Sequence, residues 1–100
     1  MNTRYKITRL DEAGQPTITL EESLLFFATQ PDFIYNDSFI VNKDDVQMKI
    51  TGHFFMWQID EVQVPFRFFD GELFVAISHP AILARAHDIT AALEATMVEG

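Results

Sequence analysis

Residues 54–77 read FFMWQIDEVQVPFRFFDGELFVAI. Two turn signals interrupt this run, Asp60-Glu61 and Asp70-Gly71. Asp-Gly is the stronger, because a type I′ turn needs positive φ at both central positions, which glycine adopts without steric cost. A two-residue hairpin loop fixes which residues face one another. With Asp60-Glu61 as a loop, Ile59 faces Val62, Trp57 faces Val64 and Phe55 faces Phe66. With Asp70-Gly71 as a loop, Phe68 faces Leu73, Phe66 faces Val75 and Val64 faces Ile77. The two loops are placed independently. Together they put ten apolar residues and no polar one on a single face: Phe55, Trp57, Ile59, Val62, Val64, Phe66, Phe68, Leu73, Val75 and Ile77. Chance rarely produces this, so the reading is an antiparallel meander with one buried face.

The opposite face of the same strands ought to be polar if it meets water. Here Phe54, Arg67 and Phe74 form one row across three strands, and Met56, Pro65 and Ala76 the next. Gln58, Gln63 and Ser78 make a polar row beyond, with Phe69 and Glu72 at the other end. Phe54, Met56, Phe69 and Phe74 therefore surround the single Arg67, and they are the candidate binding residues. An arginine among aromatic faces suits a cation–π site. If both helices of the chain cover the ten-residue face, this second face stays open, and an open apolar patch usually serves a partner or a ligand.

Upstream, the pattern predicts strands near 33–35, 38–42 and 46–59, with Asn36-Asp37 as a hairpin loop and 42–45 as another. The loop 42–45 pairs Val41 with Val46 and Phe39 with Met48. Ile50 then shares the parity of Phe54 rather than Phe55, so a β-bulge at 51–53 on Gly52 is expected to carry Phe39 and Ile50 onto the core face. Residues 4–10 read as a strand at a sheet edge, its basic residues discouraging aggregation. Thr19-Leu20-Glu21-Glu22 is a capping box opening a helix over about 20–30 that buries Leu20, Leu24, Phe27 and Ala28. Ser78-His79-Pro80 opens a second helix, whose stripe Ile82, Ala86, Ile89, Leu93 and Met97 runs through about 96. The fold class is α+β: a single domain, 1–100, with a curved antiparallel meander of five to six strands, one helix before it and one after.

Composition narrows the function classes. The chain is 48% hydrophobic, carries ten phenylalanines and has a net charge of −8. Arg4, Lys6 and Arg9 hold three of its seven bases, which leaves four against fifteen acids, or −11, in residues 11–100. Such a surface repels phosphates, so no nucleic-acid partner is expected. The absence of cysteine excludes disulfides, cysteine-ligated zinc and a thiol nucleophile, and fits a cytoplasmic location. No apolar run is long enough to span a membrane, and no apolar h-region follows the basic N-terminus. The acids fall mostly in connections at both ends of the sheet, a solvated distribution.

Chemistry-bearing motifs are sparse. His53 lies beside the expected bulge, but a general-base or metal role needs convergent partners that no spacing supplies. His79 suits a helix cap, and His87 and Glu94 are two turns apart, too far for one metal. Isolated glycines give neither a P-loop nor a dinucleotide fingerprint, and 42–45 lacks EF-hand spacing. No catalytic residue, metal or cofactor is therefore expected. The leading expectation is a non-enzymatic protein-interaction module that homodimerises through the aromatic face. The alternatives are a binder of a small anionic or aromatic ligand, in a pocket at Arg67 or Trp57, and an acidic inhibitor or immunity-like protein for a basic protein partner. An enzyme built on His53 is the third.

Overall fold

The computed structural model describes residues 3–100. Its elements run β1 (Thr3–Thr8), α1 (Leu20–Ala28), β2 (Phe33–Lys43), β3 (Val46–Ile59), β4 (Val62–Phe69), β5 (Glu72–Ile77), α2 (Pro80–Ala92) and β6 (Thr96–Glu99). The six strands form one antiparallel sheet in the order β2-β3-β4-β5-β1-β6. The α+β meander, with one helix before it in the chain and one after, is thus the observed architecture.

The register in β3–β4–β5 is the one the turns dictate. Ile59 pairs with Val62, Trp57 with Val64, Phe55 with Phe66, and Phe68 with Leu73. Asp70 and Gly71 hold φ of 51° and 81°, so both central residues of that turn are left-handed, as a type I′ turn requires. Phe55, Trp57, Val64, Phe66, Leu73 and Val75 all enter the core. Both helices pack on this face. Phe27 of α1 stacks on Phe55 at 4.3 Å between ring centroids, and Phe33 meets Phe66 edge-on at 5.4 Å. Ile82, Ala86 and Ile89 of α2 fill the rest, with Ile7 and Ile18. Burying each of the largest of these side chains contributes about 2–3 kcal/mol.

Several expectations are corrected. Asn36-Asp37 is not a hairpin loop, because β2 runs from Phe33 to Lys43 as one strand and pairs with β3 on both sides of Asp37. The irregularity that the sequence places at 51–53 is there: between Asn36 and Ser38 one residue, Asp37, lies opposite Gly52 and His53. It does not bring Phe39 and Ile50 to the core. Phe39 stacks on Phe54, on the second face, at 5.5 Å. The turn beyond is only Asp44-Asp45, with φ of 51° and 63°, so Val41 pairs with Met48 and Lys43 with Val46. Aspartate tolerates the left-handed region that a two-residue turn needs, which makes the four-residue loop unnecessary. The ribbon 38–51 projects past the helices, and Val46 and Met48 are 61% and 56% exposed.

β1 is not an edge strand but lies between β5 and β6. The reason is β6, whose residues have a side-chain spacing that also fits a helix. Helix α2 stops at its cap, Leu93; Glu94 has φ of 52°, and the chain turns back as a strand that keeps Met97 against the core. In α1, Leu24 and Ala28 are exposed, and Ser23 is buried beside Phe27. Thr19 caps α1 by accepting from Glu22 N at 3.0 Å, but the Glu22 carboxylate does not reach back to the cap. It takes a two-pronged contact from Arg9 at 2.7 and 2.9 Å instead.

Two arginine clusters tie the helices down. Arg9 binds Glu22 of α1 and donates to the Leu93 carbonyl at the end of α2, at 2.8 Å. Arg85 of α2 donates to both oxygens of Asp32, which also accepts from Trp57 Nε1 at 2.7 Å. Burial pushes the Asp32 carboxyl up, but the bonds from Arg85 and Trp57 outweigh it and hold the group below its ordinary range. Glu22 is held low chiefly by its hydrogen bonds from Arg9. Both carboxylates thus add stability above their unfolded pKa of about 4, and lose it as pH falls through the lower folded value. Thermal melts between pH 6 and pH 2 (roughly the span of carboxylate titration) will show the midpoint falling with pH, and E22Q/D32N will flatten that slope.

The glycine turns supply a second test. A Cβ at Gly71 would sit 2.9 Å from Pro16 Cβ, whereas one at Gly14, with the same φ of 81°, meets nothing within 4 Å. Gly14→Ala therefore costs the left-handed backbone alone, about 1–2 kcal/mol. Gly71→Ala costs that plus displacement of the 10–16 turn, and its melting midpoint will lie several degrees lower, on a scale of about 4–8 °C per kcal/mol.

Candidate functional site

The second face carries the rows that the register specifies. Phe54 pairs with Arg67 and Arg67 with Phe74, Met56 pairs with Pro65, and Phe69 pairs with Glu72. Gln58 and Gln63 pair and share a side-chain hydrogen bond of 2.9 Å. Because β1 lies beside β5, two further cations join the face: Lys6 opposite Phe74, and Arg4 opposite Ala76. The sequence reading missed Arg4 because it put β1 at an edge with no specified neighbour.

The five candidate residues fall into two environments. Phe54 and Met56 are only 4% and 2% exposed, so the chain itself covers them. Phe39 lies over Phe54, and Gly52 is the reason the ring fits: a Cβ there would stand 3.2 Å from Phe54 Cε2. Arg67, Phe69 and Phe74 remain accessible, Phe69 at 56%. With Arg4, Pro65, Val75 and Ala76 they line a cleft of about 290 Å³. No helix covers it.

The electrostatics of this cleft are unusual for an acidic chain. Lys6 is matched by Glu72, at 3.3 Å. Among the described residues, no carboxylate lies within ion-pairing distance of Arg4 or Arg67. The Arg67 guanidinium is held by rings instead, its carbon 5.6 Å from the Phe54 centroid and 5.2 Å from that of Phe69. Its Nε is buried without a hydrogen-bond partner, a state that costs about 1–3 kcal/mol for an ordinary donor. Ring contacts engage the faces of the guanidinium and leave its N–H edge, which is the part that grips an anion.

The other candidates sit elsewhere. Trp57 is in the core, with its N–H given to Asp32. His53 shares a hydrogen bond with the Tyr35 hydroxyl through Nδ1, at 2.7 Å, and its ring lies 6.4 Å from Phe68. His79 caps α2, accepting from Ala81 N at 3.0 Å. Among the described residues no three metal-ligating side chains converge, and no helix is long and apolar enough to cross a membrane.

The cleft makes a direct demand on its residues. Arg67→Met keeps the stem against Phe54 and Phe69 but removes a cation that no acid balances, so the melting midpoint will stay within a few degrees of wild type. A collapse of the fold in this variant would show instead that the guanidinium is a structural pillar. Comparison with known proteins finds no family model, no curated protein and no solved structure that matches this chain.

Proposed function

We propose that the chain is a non-enzymatic binding module whose second face takes a small organic anion, a carboxylate carried on a flat apolar body. One observation carries this reading: in a chain of net charge −8, Arg4 and Arg67 line one cleft without an acid between them. An anion supplies the missing counter-charge by a two-pronged contact with Arg67. The rings of Phe69 and Phe74 offer apolar walls to the body that bears it. At about 290 Å³ the cleft is at the small end of ligand pockets, which favours a ligand of one or two rings. The cysteine-free composition is consistent with a cytoplasmic role.

A homodimer closed across this face is the second reading, favoured by the exposure of Phe69. It draws less support, because Phe54 and Met56 are already buried within the chain and offer little surface to a second copy.

Calorimetric titration separates charge from shape. Benzoate will bind and benzamide, its neutral counterpart, will not. Arg67→Met will weaken benzoate by at least about tenfold, equivalent to ~1.4 kcal/mol, and Arg4→Met by less. Equal binding of benzoate and benzamide, or no benzoate binding at millimolar concentration, would overturn the proposal.

A further inference from the structure

The cleft holds more positive charge than one carboxylate can match. A carboxylate engages a single guanidinium through both of its oxygens, so one bound at Arg67 leaves Arg4 unanswered. The two arginines line the same cleft but stand on different strands, β1 and β4. Arg67 pairs with Phe74 of β5, whereas Arg4 pairs with Ala76, so they are two strands and two residues apart. At about 4.8 Å between strands and about 3.3 Å per residue, their Cα atoms lie about 12 Å from each other. Nor do the rings draw Arg67 toward Arg4. Its guanidinium rests against Phe54 of β3 and Phe69 of β4, whereas β1 lies on the other side of β4 from β3.

The chain supplies no acid for the second charge. Glu72 is the only acid in β1, β4 and β5, and Lys6 takes it at 3.3 Å. Arg4 itself is exposed, with its stem free to meet a ligand. Pro65 and Ala76, short and apolar, line the space beside the Phe74 ring. A flat body can lie there with a charged group at each end.

We propose that the ligand of this cleft is a dianion, with carboxylates at opposite ends of a flat apolar body, one gripped by Arg67 and the other by Arg4. This rests on the reading of the cleft as an anion site and adds the ligand's second charge and its spacing. A benzene ring substituted at opposite positions holds its two carboxyl carbons about 6 Å apart, from ordinary bond lengths. A two-pronged contact sets each of them about 4 Å from a guanidinium carbon. Terephthalate therefore bridges guanidinium carbons about 14 Å apart, close to the separation of the Arg4 and Arg67 Cα atoms. Phthalate, its isomer with adjacent carboxylates, carries the same charge and is too short to bridge them.

Calorimetric titration of the full chain with terephthalate, phthalate and benzoate separates charge from spacing. Terephthalate will bind about fivefold tighter than either of the others, roughly the gain of one further exposed ion pair. Arg4→Met will bring terephthalate down to the level of benzoate, and Arg4→Lys, which keeps the charge, will restore part of the gain. Arg4 is exposed, and an unchanged melting midpoint will show that both variants are folded. Terephthalate no tighter than benzoate would overturn the inference and leave the site for a single anion standing. Equal binding of terephthalate and phthalate would overturn it too, because charge without spacing would then account for the gain. Failure of all three to bind would overturn the reading of the cleft, and this inference with it.

Discussion

The register of β3, β4 and β5 is the constraint on which the rest of the structure depends. Strand side chains alternate with a period of two, so a slip by one residue would turn every core phenylalanine outward. Two-residue turns remove that freedom. Once Asp60-Glu61 and Asp70-Gly71 are set, Phe55, Trp57, Val64, Phe66, Leu73 and Val75 share one face, and both helices pack on it. Neither helix then remains for the other face, where the chain covers only the part at Phe54 and Met56. The open cleft at Arg67 is a consequence of how the core is satisfied.

Much of this is legible in the sequence, and the failures have physical causes. Period-two alternation between identified turns is a strong signal, and the rows Phe54–Arg67–Phe74 and Met56–Pro65 follow from it. What fails depends on contacts distant in the chain. Residues 96–99 continue the spacing of α2, and nothing local says that Glu94 will adopt a left-handed conformation and send them to pair with β1. Without β6, residues 4–10 read as an edge strand, and Arg4 has no place in the site. Asn36-Asp37 looks like a turn by composition, but pairing with β3 on both sides of Asp37 outweighs that local preference.

The same limit applies to charge. Asp32 and Glu22 sit where solvated acids are expected, and composition gives no reason to single them out. In the fold they accept from Arg85 and Arg9, which bind α2 and α1 to the sheet across long sequence separations. Acids and bases are thus paired where the helices are fastened. The cleft is different. There the arginines Arg4 and Arg67 face aromatic and apolar groups, and the fold gives them no acid. An unbalanced cation beside open rings is a feature that structure alone does not need.

The central claim is that the two helices occupy the core face and that the proposed anion binds on the opposite face. It is tested most directly by two-dimensional NMR of ¹⁵N-labelled protein during a benzoate titration. The account predicts that the Arg67 Nε–H resonance shifts most, with the amides of Phe69, Phe74 and Ala76, while those of Phe55, Trp57 and Phe66 stay still. Shifts centred instead on the groove lined by Leu24, Phe27 and Tyr35, with Arg67 unmoved, would contradict it.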